Sequence, residues 1–311
     1  MLQGVVMTKG TTVKTNDTIL KCFGEAVAKY AANKHRGGSN GKKGTRYEDF
    51  FIAFEVANVI ARHLEGGGND WPEIGAQSEG FVDDVVLLTA ISSEFSQLKN
   101  VHSLSWTGGQ HPIVTDFEYQ KVWAEFVGLP GLATTLVVSS AEVAHQMSAN
   151  IPSSIARHTT VKSFPYCDGS MNRLVVESVE LQRVLRLICK FENARLDELE
   201  ATFGVIVLSC LDVSNTVSVK TLVNRTCQLY PNMLRLIVGN SLPQLDQRFT
   251  EILSKIAGLG YHVQRGFLNW SAFGTSGVLG FDCTDVQFIR FQDEVVNRHP
   301  TTFEDFEELL P

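Results

Sequence analysis

The sequence predicts an α/β fold whose first part runs helix, helix, three strands, helix, strand, helix, and whose second part is mixed and mainly helical. Apolar residues recur at helical spacing on both sides of one glycine-rich break. After a second break, Gly66-Gly67-Gly68, the period turns strand-like. There the run Val85-Val86-Leu87-Leu88 is apolar on both faces, as a central strand requires.

Asp17 precedes Ile19, Leu20, Phe23, Ala26, Val27 and Tyr30, a pattern that predicts a first helix over 17–32. Residues 34–46 read Lys-His-Arg-Gly-Gly-Ser-Asn-Gly-Lys-Lys-Gly-Thr-Arg and are expected to hold no regular element. A second helix is predicted over 47–64, with Phe50, Phe54, Ala57, Ala61 and Leu64 on one stripe and Glu48, Ile52, Glu55 and Val59 on the next. That arrangement sets the Glu55 carboxylate beside a buried face, where a cation or hydrogen-bond donor must meet it. Strands are predicted over 74–79, 81–90 and 94–101, a helix over 116–127, a buried strand over 134–138 and a helix over 141–148. Beyond Pro165, helices are predicted over 173–191, 196–210, 218–230 and 242–257, then strand-like stretches over 261–270 and 278–283.

A length of 311 residues supports a full hydrophobic core and favours one large domain or two of ordinary size; two are expected here, over 1–165 and 166–311. With 44% apolar and 20% charged residues and a mean hydropathy near zero, the composition excludes collagen-like and wholly disordered chains. The net charge of −7 repels a nucleic-acid backbone, so any DNA contact must come from a local basic patch. Lys34, Arg36, Lys42, Lys43 and Arg46 form such a patch, able to neutralise phosphates; a solvated linker is the alternative. Six cysteines without a Cys-x-x-Cys pair argue against structural zinc and for reduced core thiols. The absence of a signal-like segment and of any run near the ~20 apolar residues of a membrane span leads to an expected cytoplasmic location with no membrane partner. The closing acids Glu304, Asp305, Glu307 and Glu308 read as a solvated helix end.

The chemistry-bearing residues cluster on the central strands. Asp83 and Asp84 open one, and Gln97-Leu98-Lys99 lie on the next. Paired strands run about 4.7–4.9 Å apart, so these groups meet at one edge. Gln97 and Lys99 point the same way while the two aspartates point oppositely, and Asp84 is the favoured partner. A hard ion such as Mg2+ or Mn2+ would take the Asp84 carboxylate, the Gln97 amide oxygen and the Leu98 carbonyl. Lys99 would orient or deprotonate an attacking water and neutralise charge on a phosphate. Glu55 would complete the metal shell, with Glu48 and Glu79 as substitutes.

This set resembles the PD-(D/E)xK nuclease superfamily in its D…QxK form, whose core order is αβββαβ. More narrowly, the stretch from Arg46-Tyr47-Glu48-Asp49 through Lys99 is similar to the double-stranded-DNA endonuclease module of bacterial antiphage systems of the CD-NTase-associated or Lamassu type. The resemblance covers residues 15–165. It implies a restriction-endonuclease-like fold, Mg2+-dependent cleavage of double-stranded DNA by Asp83, Asp84, Gln97, Lys99 and Glu55, self-association, and companion SMC-like or HerA-like ATPase subunits. Gln97 departs from the commonest motif, which carries an acid there, and removes one negative charge from the metal site.

Other readings compete. The aspartates could cap a turn, Gln97-Leu98-Lys99 could be a polar edge strand, and the whole could be a silent binding module or an RNA-directed nuclease. Residues 37–42 do not form a phosphate-binding P-loop, because the spacing is one residue short and Lys43 stands where Ser or Thr belongs. His102 and His111, just beyond Lys99, read as loop histidines, with an acid–base or phosphate contact as the alternative, and Trp106 and Trp123 read as packing residues rather than base-stacking platforms.

Overall fold

The computed structural model describes residues 5–8, 11–41, 46–66, 71–76, 78, 80–109, 111–211, 213, 216–230, 233–235 and 245–311, with backbone alone for 5–8, 11–16 and 35–41. It divides into two compact units, Met1–Val179 with Ile206–Val223, and Glu180–Val205 with Asn224–Pro311.

The first unit opens with an antiparallel pair, β1 (Val5–Thr8) and β2 (Thr11–Lys14), followed by helices α1 (Thr15–Phe23), α2 (Glu25–Gly41) and α3 (Arg46–Leu64). The single helix expected over 17–32 is therefore two, parted at Gly24, which sits at φ +83° where glycine is favoured. The expectation of an irregular 34–46 is corrected as well, since α2 continues through Gly37 and Gly38 to Gly41. Each interior glycine costs a helix about 1 kcal/mol relative to alanine. The preceding turns of the helix are held by packing: Ala28 and Ala31 are buried in the core with Phe81 and Val82, and Lys34 is anchored by its ammonium. Helix α3 is buried beyond the predicted stripes, with Phe51, Ala53 and Val56 also inside. Its start is pinned by the Tyr47 hydroxyl, which donates to the Phe164 carbonyl at 2.9 Å.

Seven elements follow: β3 (Glu73–Ala76), β4 (Val85–Leu88), β5 (Ser93–Lys99), α4 (Ile113–Val127), β6 (Leu132–Val138), α5 (Ala141–Ala149) and β7 (Thr159–Ser163). Next come α6 (Met171–Glu177), α7 (Val179–Ile188), α8 (Leu196–Cys210), β8 (Val217–Ser218) and α9 (Val219–Leu229). The six-stranded sheet has the order β7-β6-β5-β4-β3-β8. Pairs β8–β3, β3–β4 and β4–β5 are antiparallel, and β5–β6 and β6–β7 are parallel. This is a mixed α/β sheet in which α4 and α5 make the crossovers that parallel neighbours need. Leu136, Val137 and Val138 on β6 are fully buried. Trp106 and Trp123 are packing residues: their indole N–H groups donate to the Met147 carbonyl and the Thr18 hydroxyl, each at 3.0 Å.

The second unit takes nearly all of α7, most of α8 and the end of α9, and carries α10 (Gln247–Leu253), strands β9 (Gly260–Gln264), β10 (Phe267–Ala272) and β11 (Thr275–Val278), then α11 (Val286–Arg298) and α12 (Phe303–Glu307). Arg265-Gly266 and Phe273-Gly274 all have positive φ and join the three strands through two-residue turns, the geometry that matches strand twist. The stretch 261–270 is thus a hairpin, and the strand expected over 278–283 lies earlier, at β11. The helix expected over 173–191 breaks at Ser178 into α6 and α7. Phe249, Phe288, Phe291 and Phe306 centre this unit's core. The acidic close is a short helix, α12, opened by a capping box between Thr302 and Asp305. Among the described residues no helix is long and apolar enough to cross a membrane.

Candidate functional site

Strand β4 begins at Val85, so Asp83 and Asp84 lie in the bend that feeds it. The register pairs Val85 with Ser96, which sets Asp84 opposite Gln97. The bend is held from behind by Gln120 of α4, whose Oε1 accepts from the backbone N–H groups of Phe81 at 3.0 Å and Val82 at 3.2 Å. Gln120 is fully buried.

Asp84 Oδ2 accepts from the Leu98 N–H at 2.7 Å and from Gln97 Nε2, so the carboxylate is fastened across the strand pair. Lys99 is half-buried and shares the Gln97 face of β5. The remaining oxygens converge on an unexpected cation. Lys34 Nζ donates to Asp116 Oδ2 at 2.9 Å, to Gln97 Oε1 at 3.1 Å and to the Phe81 carbonyl. It also lies 3.5 Å from Asp83 Oδ1, an ion-pair distance. Asp116 Oδ1 accepts from the Tyr30 hydroxyl at 2.8 Å, and the Tyr30 ring stacks on His111 with centroids 4.7 Å apart.

Burial pushes the Asp83 carboxyl up to about 7, and the neighbouring Asp84 charge adds to this while Lys34 and Lys99 oppose it. For Lys34 burial works against the charge, but Asp83 and Asp116 together outweigh it and raise the ammonium above its ordinary value. Burial, then Asp116, raises the Tyr30 hydroxyl. Lys34 is therefore a cation and Tyr30 a hydrogen-bond donor at any ordinary pH.

Of the residues singled out in the sequence, Asp83, Asp84, Gln97 and Leu98 are brought together, with Lys99 close enough for its charge to act on Asp83. Glu55 and Glu48 are half-buried on α3. Lys34, expected among the phosphate contacts, has its ammonium turned inward onto Asp116, Gln97 and the Phe81 carbonyl. Arg46 is exposed and donates to the Gly169 carbonyl at 3.2 Å. Arg36 lies within α2, described by backbone alone, and Lys42, Lys43 and Glu79 lie outside the described residues. Both His102 and His111 are exposed. Sequence reasoning missed Asp116, Tyr30 and Gln120; the sequence marks Asp116 only as an acid in a helix's first turn.

The donors are hard oxygens of the kind Mg2+ and Mn2+ take. Among the described residues no group of three or more His, Cys, Asp or Glu side chains is disposed to hold a metal, so a cation here would draw on the Gln97 amide and backbone carbonyls beside two carboxylates. The amide faces Asp84 with its nitrogen and Lys34 with its oxygen, and must turn over before Gln97 and Asp84 can share an ion. Asp83 Oδ1 is buried and, with no hydrogen bond among the described residues, meets the Lys34 ammonium as a 3.5 Å ion pair.

No protein-family model matches the chain, and no curated protein does. Among solved structures, part of the chain is similar to the Cap4 SAVED/CARF-domain containing receptor of Acinetobacter baumannii, seen with the cyclic trinucleotide 3'3'3'-cAAA and in a second structure. Each match has a TM-score of 0.37 and 12% identity and covers 59% of this chain. The chain spans less than half of the receptor's length, 47% in one structure and 46% in the other.

Proposed function

We propose that the first unit is a metal-dependent endonuclease module with a restriction-endonuclease-like core, hydrolysing phosphodiester bonds of double-stranded DNA. The observation that carries this reading is the cross-strand fastening of Asp84 to Gln97 and Leu98, with Lys99 next along the same face. The order α3, antiparallel β3–β4–β5, α4, β6, α5 and parallel β7 supports the same core. Mg2+ or Mn2+ held by Asp84, Gln97, the Leu98 carbonyl and an acid such as Glu55 would polarise the phosphate and make a water more acidic. Asp83 adds negative charge beside that set. Lys99 orients the attacking water and offsets charge developing on the phosphate. By the resemblance of its motif, the chain would be an antiphage effector, restrained by self-association or by a companion ATPase.

A second reading, a catalytically silent nuclease-fold subunit, is favoured by Lys34, whose ammonium already compensates the acidic cluster. Plasmid nicking in Mg2+ and Mn2+ separates the two. Cleavage by the native chain that Asp84→Ala and Lys99→Ala reduce by at least a hundredfold supports the enzyme. Equal nicking by all three chains, or none by any, sinks it.

A further inference from the structure

We propose that Asp83 Oδ1, Asp116 Oδ2, Gln97 Oε1 and the Phe81 carbonyl form a cation site that the chain's own Lys34 ammonium fills, so that a divalent ion enters only by expelling Lys34. The inference rests on the nuclease reading for the identity of the ion, and on the geometry for everything else.

An ammonium has three N–H donors. Those of Lys34 are taken by Phe81, Gln97 and Asp116, and the fourth oxygen, Asp83 Oδ1, is left at 3.5 Å with no hydrogen to accept. That oxygen is buried, and an unsatisfied buried acceptor is costly. A divalent ion offers six or more coordination positions and takes all four oxygens, with water filling the rest. When both carboxyl groups are ionised, charge favours the same exchange, because two carboxylates then face a single positive charge. The exchange is also sterically cheap. Lys34 sits on a flexible four-carbon stem whose side chain is 20% exposed, so it can swing outward without opening the core.

Asp116 and Lys34 thereby become determinants of metal affinity, although neither belongs to the Asp84, Gln97 and Lys99 set; this site takes the Gln97 amide as it stands, oxygen toward Lys34, so it is distinct from an ion shared by Asp84 and Gln97, for which the amide must turn over. The test is Mn2+ binding to the full chain, by titration calorimetry and by thermal melting with and without Mn2+. Lys34→Met is expected to bind Mn2+ at least tenfold more tightly than the native chain and to show the larger Mn2+-induced rise in melting temperature. Lys34→Arg, which keeps the charge, should show no gain. Asp116→Asn placed on Lys34→Met should cancel it. Should Lys34→Met fold only when Mn2+ is supplied, the site stands; unchanged or weaker Mn2+ binding, or no recovery in millimolar Mn2+, overturns it. Tighter binding without any DNA cleavage would retain the cation site and discard the nuclease. Cleavage by the native chain with Mn2+ affinity indifferent to Lys34 would do the reverse.

Discussion

The Lys34 ammonium lies 2.9 Å from Asp116 Oδ2, tying α2 to the first turn of α4 across 82 positions of sequence. Both side chains are largely buried, so removing one partner strands the other's charge. The two removals are unequal. Asp116→Ala leaves Lys34 paired with Asp83 and should lower the unfolding free energy by about 1–3 kcal/mol, whereas Lys34→Ala leaves two carboxylates uncompensated and should cost about 3–5 kcal/mol. Urea denaturation of the metal-free chain at pH 8 checks the order; a larger loss for Asp116→Ala would contradict this account of the pair.

Asp83 gives stability an unusual pH slope. Its carboxyl titrates at about 7 in the fold, against an ordinary 3.8, because burial disfavours its charge. Between these values the folded chain holds a proton that the unfolded chain has released, so the contribution of this group to stability falls as pH rises. The contribution is fully present below pH 3.8 and gone above about 7. Metal-free unfolding measured at pH 5 and pH 8 should show that Asp83→Asn loses less stability than the native chain over this interval. Parallel slopes would show that Asp83 does not carry the proton.

The β4–β5 pair was legible because its signals are local. Val85 to Leu88 are apolar on both faces, and the period of two then sets Asp84 across from Gln97. Lys34 was not legible, because its partners Asp83, Gln97 and Asp116 are distant in sequence and the glycines beyond it mask the continuation of α2. Edge strand β7 reads Thr-Thr-Val-Lys-Ser, nearly all polar, and its place is set by parallel pairing with β6. For β7 the non-local pairing outweighed a weak local signal.

Gln120 is a positioning residue for the aspartates. Its replacement by leucine keeps the shape but leaves the buried N–H groups of Phe81 and Val82 without their acceptor. At about 1–3 kcal/mol for each of the two stranded groups, offset in part because leucine also removes the buried Gln120 Nε2, which has no hydrogen-bond partner among the described residues, Gln120→Leu should lose roughly 2–4 kcal/mol in urea unfolding. If the bend also shifts, Mn2+ affinity falls with it. A loss below about 0.5 kcal/mol would mean that water or another group satisfies these donors.

The opposite end of β5 offers a control for whether the acidic cluster responds to stability in general. Gly131 sits at φ +49° just before β6, and a Cβ there would press on the Ile91 carbonyl, a backbone atom that cannot move aside as a side-chain tip can. Gly131→Ala therefore combines a strained backbone with a steric clash, and a cost above about 1 kcal/mol is expected. Because the Ser93–Gly131 contact lies at the start of β5 and Gln97 to Lys99 at its end, Mn2+ affinity at a temperature where the variant is folded should match the native chain. A variant that melts lower and binds Mn2+ normally separates stability from the cation site. One that loses both would show that the strand transmits the strain along its length, and the effects of Lys34 and Gln120 would then have to be judged against that background.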